Sequence, residues 1–181
     1  MSNENITYFE ANRPAQTLIS TVRSLFVQPR AFFADMPVAI FYRNSVFFVS
    51  IVVFVLSFLA IPFYGMMLLF LMPAIWGVVL IALRFLAAYL RWGVSIFAKK
   101  RLSTVNAYQL AAYAFLPMLF SACSWFGLAA LLWSFYLLWL GLIANCRIKA
   151  GTALTIVAVP ASLLMLISGV FVYAMSSVVI H

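Results

Sequence analysis

The first forty residues place apolar side chains at the spacing of one face of an α-helix. Between Asn12, read as the N-cap, and Pro29, which cannot continue a helix, the apolar positions are Leu18, Ile19, Val22, Leu25 and Phe26. Polar residues lie mostly on the opposite face. The pattern predicts an amphipathic helix over residues 14–28 that is too polar to cross a bilayer. Such a helix lies on a membrane surface or packs against other helices, and periodicity does not separate the two placements.

A second short turn follows at residues 30–35 and carries Phe32 and Phe33. Aromatic rings beside a membrane-crossing helix favour the interface between headgroups and hydrocarbon, so both rings are predicted to be interfacial anchors. On this basis residues 1–43 form a cytoplasmic N-terminal segment, and residues 44–181 form a transmembrane domain.

Long apolar runs occupy the rest of the chain. A helix rises ~1.5 Å per residue, so about 20 apolar residues cross a hydrocarbon core of ~30 Å. Five runs meet or approach this length: residues 44–61, 66–85, 105–125, 126–145 and 151–177. The predicted fold class is therefore all-α, an integral membrane bundle of five transmembrane helices preceded by the N-terminal amphipathic cytoplasmic helix.

The second run continues past one crossing, to residue 98. Its continuation carries a polar stripe at helical spacing, formed by Arg84, Ala88, Arg91, Ser95 and Lys99. One interpretation is an extended or bent helix that follows the cytoplasmic surface, with Gly93 as the hinge. The other is a single tilted span whose arginines reach back to the headgroups.

The third run places Asn106, Gln109 and Tyr113 on one helical face, followed by Pro117. Polar side chains in a bilayer favour the interior of a helix bundle, so this face is predicted to point at the other spans. It forms either interhelical hydrogen bonds, which we favour, or the lining of a binding pocket.

The distribution of Lys and Arg sets the topology. Four precede the first run, five lie between residues 84 and 101, two lie between the fourth and fifth runs, and these are all eleven. Short loops rich in Lys and Arg stay cytoplasmic, so the alternation predicts a cytoplasmic N-terminus and a C-terminus outside. The chain is 67% hydrophobic, and the basic residues behind its net charge of +8 are scattered between the apolar runs. They form no continuous basic surface, so no nucleic-acid partner is predicted.

The chain is poor in reactive groups. All three acidic residues, Glu4, Glu10 and Asp35, precede the first run. Cys123 and Cys146 lie near opposite ends of consecutive runs, so they are predicted to be free thiols. These groups and one terminal histidine do not assemble a general base or a metal site. The sequence therefore predicts no catalytic residue, no metal ligand, no cofactor and no enzymatic activity.

Four segments share their order and spacing with one family of membrane proteins. They are LFVQPRAFFADMP (25–37), AAYAFLP (111–117), LWSFYLLWLGL (132–142) and RIKAGTAL (147–154), the last followed by Pro160. In this set the chain resembles the Yip (Ypt-interacting protein) domain family, especially its bacterial branch. The resemblance implies five spans with a cytosolic N-terminus. Many relatives have a glycine-rich turn where this chain has AKKR (98–101), and a longer loop between the third and fourth spans.

The resemblance also implies a function in organising membranes, because eukaryotic relatives are associated with Rab-type GTPases and vesicle budding. The N-terminal region is short here, so a GTPase partner is not carried over. The leading hypothesis is a non-enzymatic protein of the bacterial cytoplasmic (inner) membrane that organises lipids, a protein partner or a second copy of itself. Its candidates for contact with anionic headgroups are Arg84, Arg91, Lys99, Lys100 and Arg101, unless these residues only set topology.

The alternative hypothesis is a small transporter or channel subunit that uses the polar face of the third span, Asn106, Gln109 and Tyr113. Ion-coupled transport needs ionisable residues at membrane depth and often an inverted repeat. None of the five runs contains an Asp, Glu, Lys or His, and five spans do not divide into two equal repeats. A passive or apolar pore is the form of this hypothesis that survives.

Overall fold

The computed structural model describes residues 8–38, 40–122 and 126–179, and every regular element among them is helical, which confirms the all-α prediction for this part of the chain. The elements are α1 (Pro14–Val27), α2 (Pro29–Ala34), α3 (Arg43–Tyr64), α4 (Met67–Phe97), α5 (Thr104–Ala114), a 3-10 helix (Leu116–Ala122), α6 (Gly127–Ala144) and α7 (Ala150–Val179). Among the described residues α3, α4 and α6 are long and apolar enough to cross a membrane, and α7 contributes the apolar stretch Ala150–Leu163.

Helix α1 packs one side against the protein, and this is largely the predicted apolar side, because Leu18, Val22 and Phe26 pack against the core beside the buried residues of the helix. Its first residue is Pro14. Proline suits this position because the amide hydrogens of a first turn have no partner within the helix and proline lacks one. Thr17, Thr21 and Leu25 are buried, whereas Ile19 is 74% exposed. The Thr17 hydroxyl donates to a backbone carbonyl one turn earlier, at 2.8 Å, so its burial leaves that polar group paired.

Helix α2 carries Phe32 and Phe33 into the centre of the protein, so the prediction that they are interfacial anchors was wrong. Both side chains are 0% exposed. Gln28 ends α1 and also begins α2, and this tight turn directs the rings toward α5 and α6. The ring of Phe32 lies 5.1 Å from that of Tyr113. A run of six residues does not fix the direction in which its rings point.

Helices α3 and α4 form an antiparallel hairpin. Gly65 joins them at φ 79°, a left-handed conformation that glycine adopts without steric cost. The Trp76 indole donates to the Ser50 hydroxyl at 2.8 Å across the pair. Helix α4 is continuous over 31 residues, or about 46 Å at ~1.5 Å per residue, which exceeds a ~30 Å hydrocarbon core.

Helix α4 runs unbroken through Gly93, so residues 85–97 continue the second run as one helix, which both interpretations allow, and no break marks the predicted hinge at Gly93. Gly93 is buried inside the helix, where its missing side chain lets α7 approach. A Cβ placed on Gly93 would lie 3.2 Å from Ile156 Cγ2. The glycine therefore serves close packing between helices rather than bending.

The third predicted span is broken. Helix α5 ends at Ala114, and the chain continues as the 3-10 helix from Leu116. Pro117 explains the break, because its ring excludes the carbonyl four residues earlier and its nitrogen carries no hydrogen. The predicted span over 105–125 is therefore two helical pieces in its described part. Eleven residues at ~1.5 Å and seven at ~2.0 Å still extend together over about 30 Å if they are collinear.

Candidate functional site

Two loops rich in cations meet at one end of the helices, and Lys100 joins them. One loop follows α4, and the other separates α6 from α7. The Lys100 ammonium donates to the carbonyl of Cys146 at 2.8 Å and to that of Arg147 at 2.7 Å. These charge-assisted bonds fix the two loops against each other. We call the five cations of these loops, Lys99, Lys100, Arg101, Arg147 and Lys149, the basic end.

The backbone of the first loop turns sharply at Lys99. Lys99 has φ 52°, and the amide of Lys100 donates back to the Val94 carbonyl at 3.4 Å. A left-handed residue after a helix is usually glycine, because a Cβ is disfavoured there. The chain therefore holds a lysine in a glycine conformation, and Lys99 projects from the end of α4.

The two arginines of α4 are engaged by other parts of the protein. The Arg84 guanidinium lies over the ring of Tyr42, with Cζ 5.2 Å from the ring centroid. This is a cation–π contact. The Arg91 guanidinium donates to the Thr104 hydroxyl at 3.0 Å, at the start of α5. Both side chains remain exposed.

The structure thus divides the five predicted headgroup candidates. Lys100, Arg84 and Arg91 have protein partners, whereas Lys99 and Arg101 are exposed and, within the described part of the chain, form no hydrogen bond or ion pair. The structure also adds Arg147 and Lys149, both exposed, to the same end. The charge count could have found these two, since it already assigned their loop to the cytoplasmic side.

Two of the three residues of the predicted polar face on the third span lie inside the protein. Gln109 and Tyr113 are buried, whereas Asn106 is half-buried. The backbone N–H of Asn106 donates to the Ser103 hydroxyl that caps α5. Both the Gln109 side chain and the Phe9 backbone interact with the Tyr113 hydroxyl. The N-terminal segment therefore covers this face, as an extra layer on the bundle.

Around Tyr113 the packing is aromatic. The ring lies 5.1 Å from Phe32 and 5.0 Å from Phe48, while Phe9 lies 5.5 Å from Phe48. Rings at these separations and tilts pack favourably. The Gln109 Oε1 atom is buried and has no hydrogen-bond partner among the described residues.

Cys146 is a free thiol, as predicted, and Cys123 lies outside the described residues. Burial raises the pKa of the Cys146 thiol to about 11, although the Lys100 ammonium acts in the opposite direction. The thiolate is the nucleophilic form, so at neutral pH this sulfur is a weak nucleophile.

The sequence itself relates the chain to known proteins. A family model described as the Yip1 domain matches residues 23–172, which is most of the chain. The chain belongs to the Yip1 domain family. The comparisons with curated proteins and with solved structures return no match. The family and the three long apolar helices together make this Yip1 domain protein an integral membrane protein.

The Yip1 domain also contains a cavity of about 530 Å³ between α4, the broken third segment, α6 and α7. Its wall is apolar on all four sides, with Ala82, Leu83 and Phe85 from α4, Ala111 and Met118 from the third segment, Leu131 and Leu138 from α6, and Val159 and Leu163 from α7. Ser134 of α6 also lines it, but its hydroxyl oxygen is buried and has no partner among the described residues.

This cavity is not fully enclosed. Apolar wall atoms that face empty space lack the packing contacts that they would make with an occupant. The Yip1 domain therefore gains packing contacts from an apolar group that enters the cavity.

Proposed function

We propose that this Yip1 domain protein is a non-enzymatic membrane organiser whose basic end gathers anionic lipid headgroups or an acidic partner at the cytoplasmic surface. The observation that carries the proposal is the double hydrogen bond of Lys100. It brings two loops together and leaves Lys99, Arg101, Arg147 and Lys149 exposed beside it. We place the protein in the cytoplasmic membrane of a bacterium, with a protein partner or a second copy as its associate.

Electrostatics supports this proposal. Each Lys or Arg near an anionic leaflet contributes about 1 kcal/mol, so four exposed cations at one end contribute several kcal/mol. Residues that only set topology do not need to be held together, whereas Lys100 holds these loops in one arrangement. The buried face of Gln109 and Tyr113, covered by Phe9, favours a structural role for that face over a solute pathway.

The proposal needs both loops on the cytoplasmic side. A topology with five crossings places them there, with one crossing each by α3, α4, the broken third segment, α6 and α7. We expect a reporter fused after residue 100 to be active only in the cytoplasm and one fused after residue 181 to be active only outside. Reporters that place both positions in one compartment would overturn the topology and the proposed function with it.

The lipid contact is tested by neutralising the exposed cations of the first loop. In bilayers that contain spin-labelled phosphatidylglycerol and phosphatidylcholine, the wild type is expected to retain the anionic lipid preferentially. The double variant Lys99→Gln/Arg101→Gln removes two contributions of about 1 kcal/mol each, so we expect the preference to fall by roughly tenfold or more. The preference of the wild type is also expected to weaken in high salt, because exposed charges are screened.

The matched control exchanges the cations without loss of charge, as Lys99→Arg/Arg101→Lys. It is expected to keep the preference for phosphatidylglycerol. Lys100 stays unchanged in both variants because it holds the loops together. An unaltered lipid preference in the glutamine variant would show that these cations set topology and do not recruit lipid.

A further inference from the structure

We propose that the 530 Å³ cavity is a lipid site that holds one acyl chain of a membrane phospholipid, inserted between α4 and α7. The volume lies within the range of about 300–1,000 Å³ that is typical of small-molecule sites. The site is separate from the basic end and does not depend on its function. The argument rests on the walls of the cavity, on its mouth and on the surroundings that the mouth faces.

The mouth lies between α4 and α7. Phe85 of α4 and Val159 and Leu163 of α7 line the cavity and are also largely exposed on the outside of the protein. Ala111 and Leu138, on the opposite wall, are buried. The cavity therefore has an inner wall inside the protein and an opening on its outer side.

Beyond the mouth, α4 presents further large apolar side chains, including Val78 and Ile81, both more than half exposed. In a helix that crosses a membrane, such side chains face hydrocarbon rather than water. The molecules that meet the mouth are therefore lipid tails. A tail that enters replaces a void by packing contacts, which is favourable even between equally apolar groups.

One end of the cavity is closed by contacts between α4 and α7. The Tyr89 hydroxyl donates to the Ile156 carbonyl at 3.0 Å, and Gly93 packs against the Ile156 side chain one turn further on. These contacts hold the two helices together on the side of the basic end and leave them apart around Phe85. A chain is thus held from the side, while its headgroup stays at the bilayer surface.

The test uses the full-length protein in bilayers of phosphatidylcholine doped with phosphatidylcholine that carries a diazirine midway along one acyl chain. After irradiation, the adducts are mapped by mass spectrometry. We expect adducts on the inner wall, at the buried residues Ala111, Ala114 and Leu138, which lipids around the protein do not reach. Filling the cavity with Ala82→Phe is expected to remove most inner-wall adducts, and Ala82→Leu to remove fewer.

Ala88→Phe is the matched control, because Ala88 is an exposed alanine of the same helix and does not line the cavity. It is expected to keep the inner-wall adducts. Adducts at Phe54 and Phe58, exposed on α3, report that each variant is inserted in the bilayer and accessible to the lipid probe. Adducts confined to outward faces in the wild type, or inner-wall adducts unchanged by Ala82→Phe, would overturn the proposal.

Discussion

Replacing Phe32 with alanine is expected to lower the free energy of unfolding by about 3–5 kcal/mol, the usual cost of truncating a buried phenylalanine. Phe32 is 0% exposed, and its ring lies 4.9 Å from Tyr8, 5.5 Å from Phe33 and 5.1 Å from Tyr113. The truncation therefore removes the contact between the N-terminal segment, α2 and α5 at one point. The loss is measured by unfolding in detergent micelles, with helical circular dichroism as the signal.

Phe70→Ala is the matched control for this change. Phe70 lies on α4 and is 86% exposed, so in the membrane its ring faces lipid or detergent rather than protein. We expect its truncation to change the free energy of unfolding by less than about 0.5 kcal/mol. Equal stabilities of Phe32→Ala and the wild type would mean that residues 8–34 do not form part of the folded core.

This dependence on Phe32 marks a limit of the sequence pattern. Residues 1–43 are polar enough to be separated from the apolar runs, yet Phe9, Leu25, Phe32 and Phe33 lie in the same hydrophobic core as α3 to α7. Hydropathy measures how favourable burial is, but it does not say against which surface a short segment packs. The direction of α2 is set by the turn at Gln28, which connects it to α1 without a loop.

The long helices could be predicted more closely. The observed α3 and α6 differ from the predicted runs 44–61 and 126–145 by at most three residues at any end, because about twenty apolar residues in a row leave few alternatives. The third run is also long enough to cross a membrane, yet its helix stops before Pro117. The mean hydropathy of a window is insensitive to one missing hydrogen-bond donor. The helix nevertheless ends where proline removes that donor.

For the basic end, too, the sequence predicted the position of the cluster but not the role of each residue in it. The charge count identified the cluster 99–101 and its side of the membrane as a prediction, but it treated its three cations alike. The turn at Lys99, with its positive φ, precedes the Lys100 side chain that bonds the α6–α7 loop, whereas Lys99 and Arg101 themselves stay exposed. The roles of individual cations therefore depend on backbone conformation, which the composition of a loop does not specify.

Replacing Gly141 with alanine is expected to destabilise the protein, although alanine is the better helix former. A Cβ at this position would lie 3.1 Å from Leu110 Cγ and Cδ1 and 3.2 Å from Phe33 Cδ1, all of them buried. Overpacking of a core costs typically 1–3 kcal/mol and outweighs the gain of about 1 kcal/mol from replacing an interior helical glycine. The free energy of unfolding in micelles measures the balance.

Gly77→Ala is the matched control, and this same substitution is expected to stabilise the protein. Gly77 lies inside α4, and a Cβ there meets nothing within 4 Å, so only the gain in helix propensity remains. In the double variant Gly141→Ala/Leu110→Val the shorter side chain should recover part of the loss, because residues in contact couple in their effects on stability. Stabilisation by both single glycine variants would show that α6 does not pack on α5 and α2 at this close distance. In that case Gly141 would not be in close contact with Phe33, and alanine would be tolerated there as at an exposed helix position.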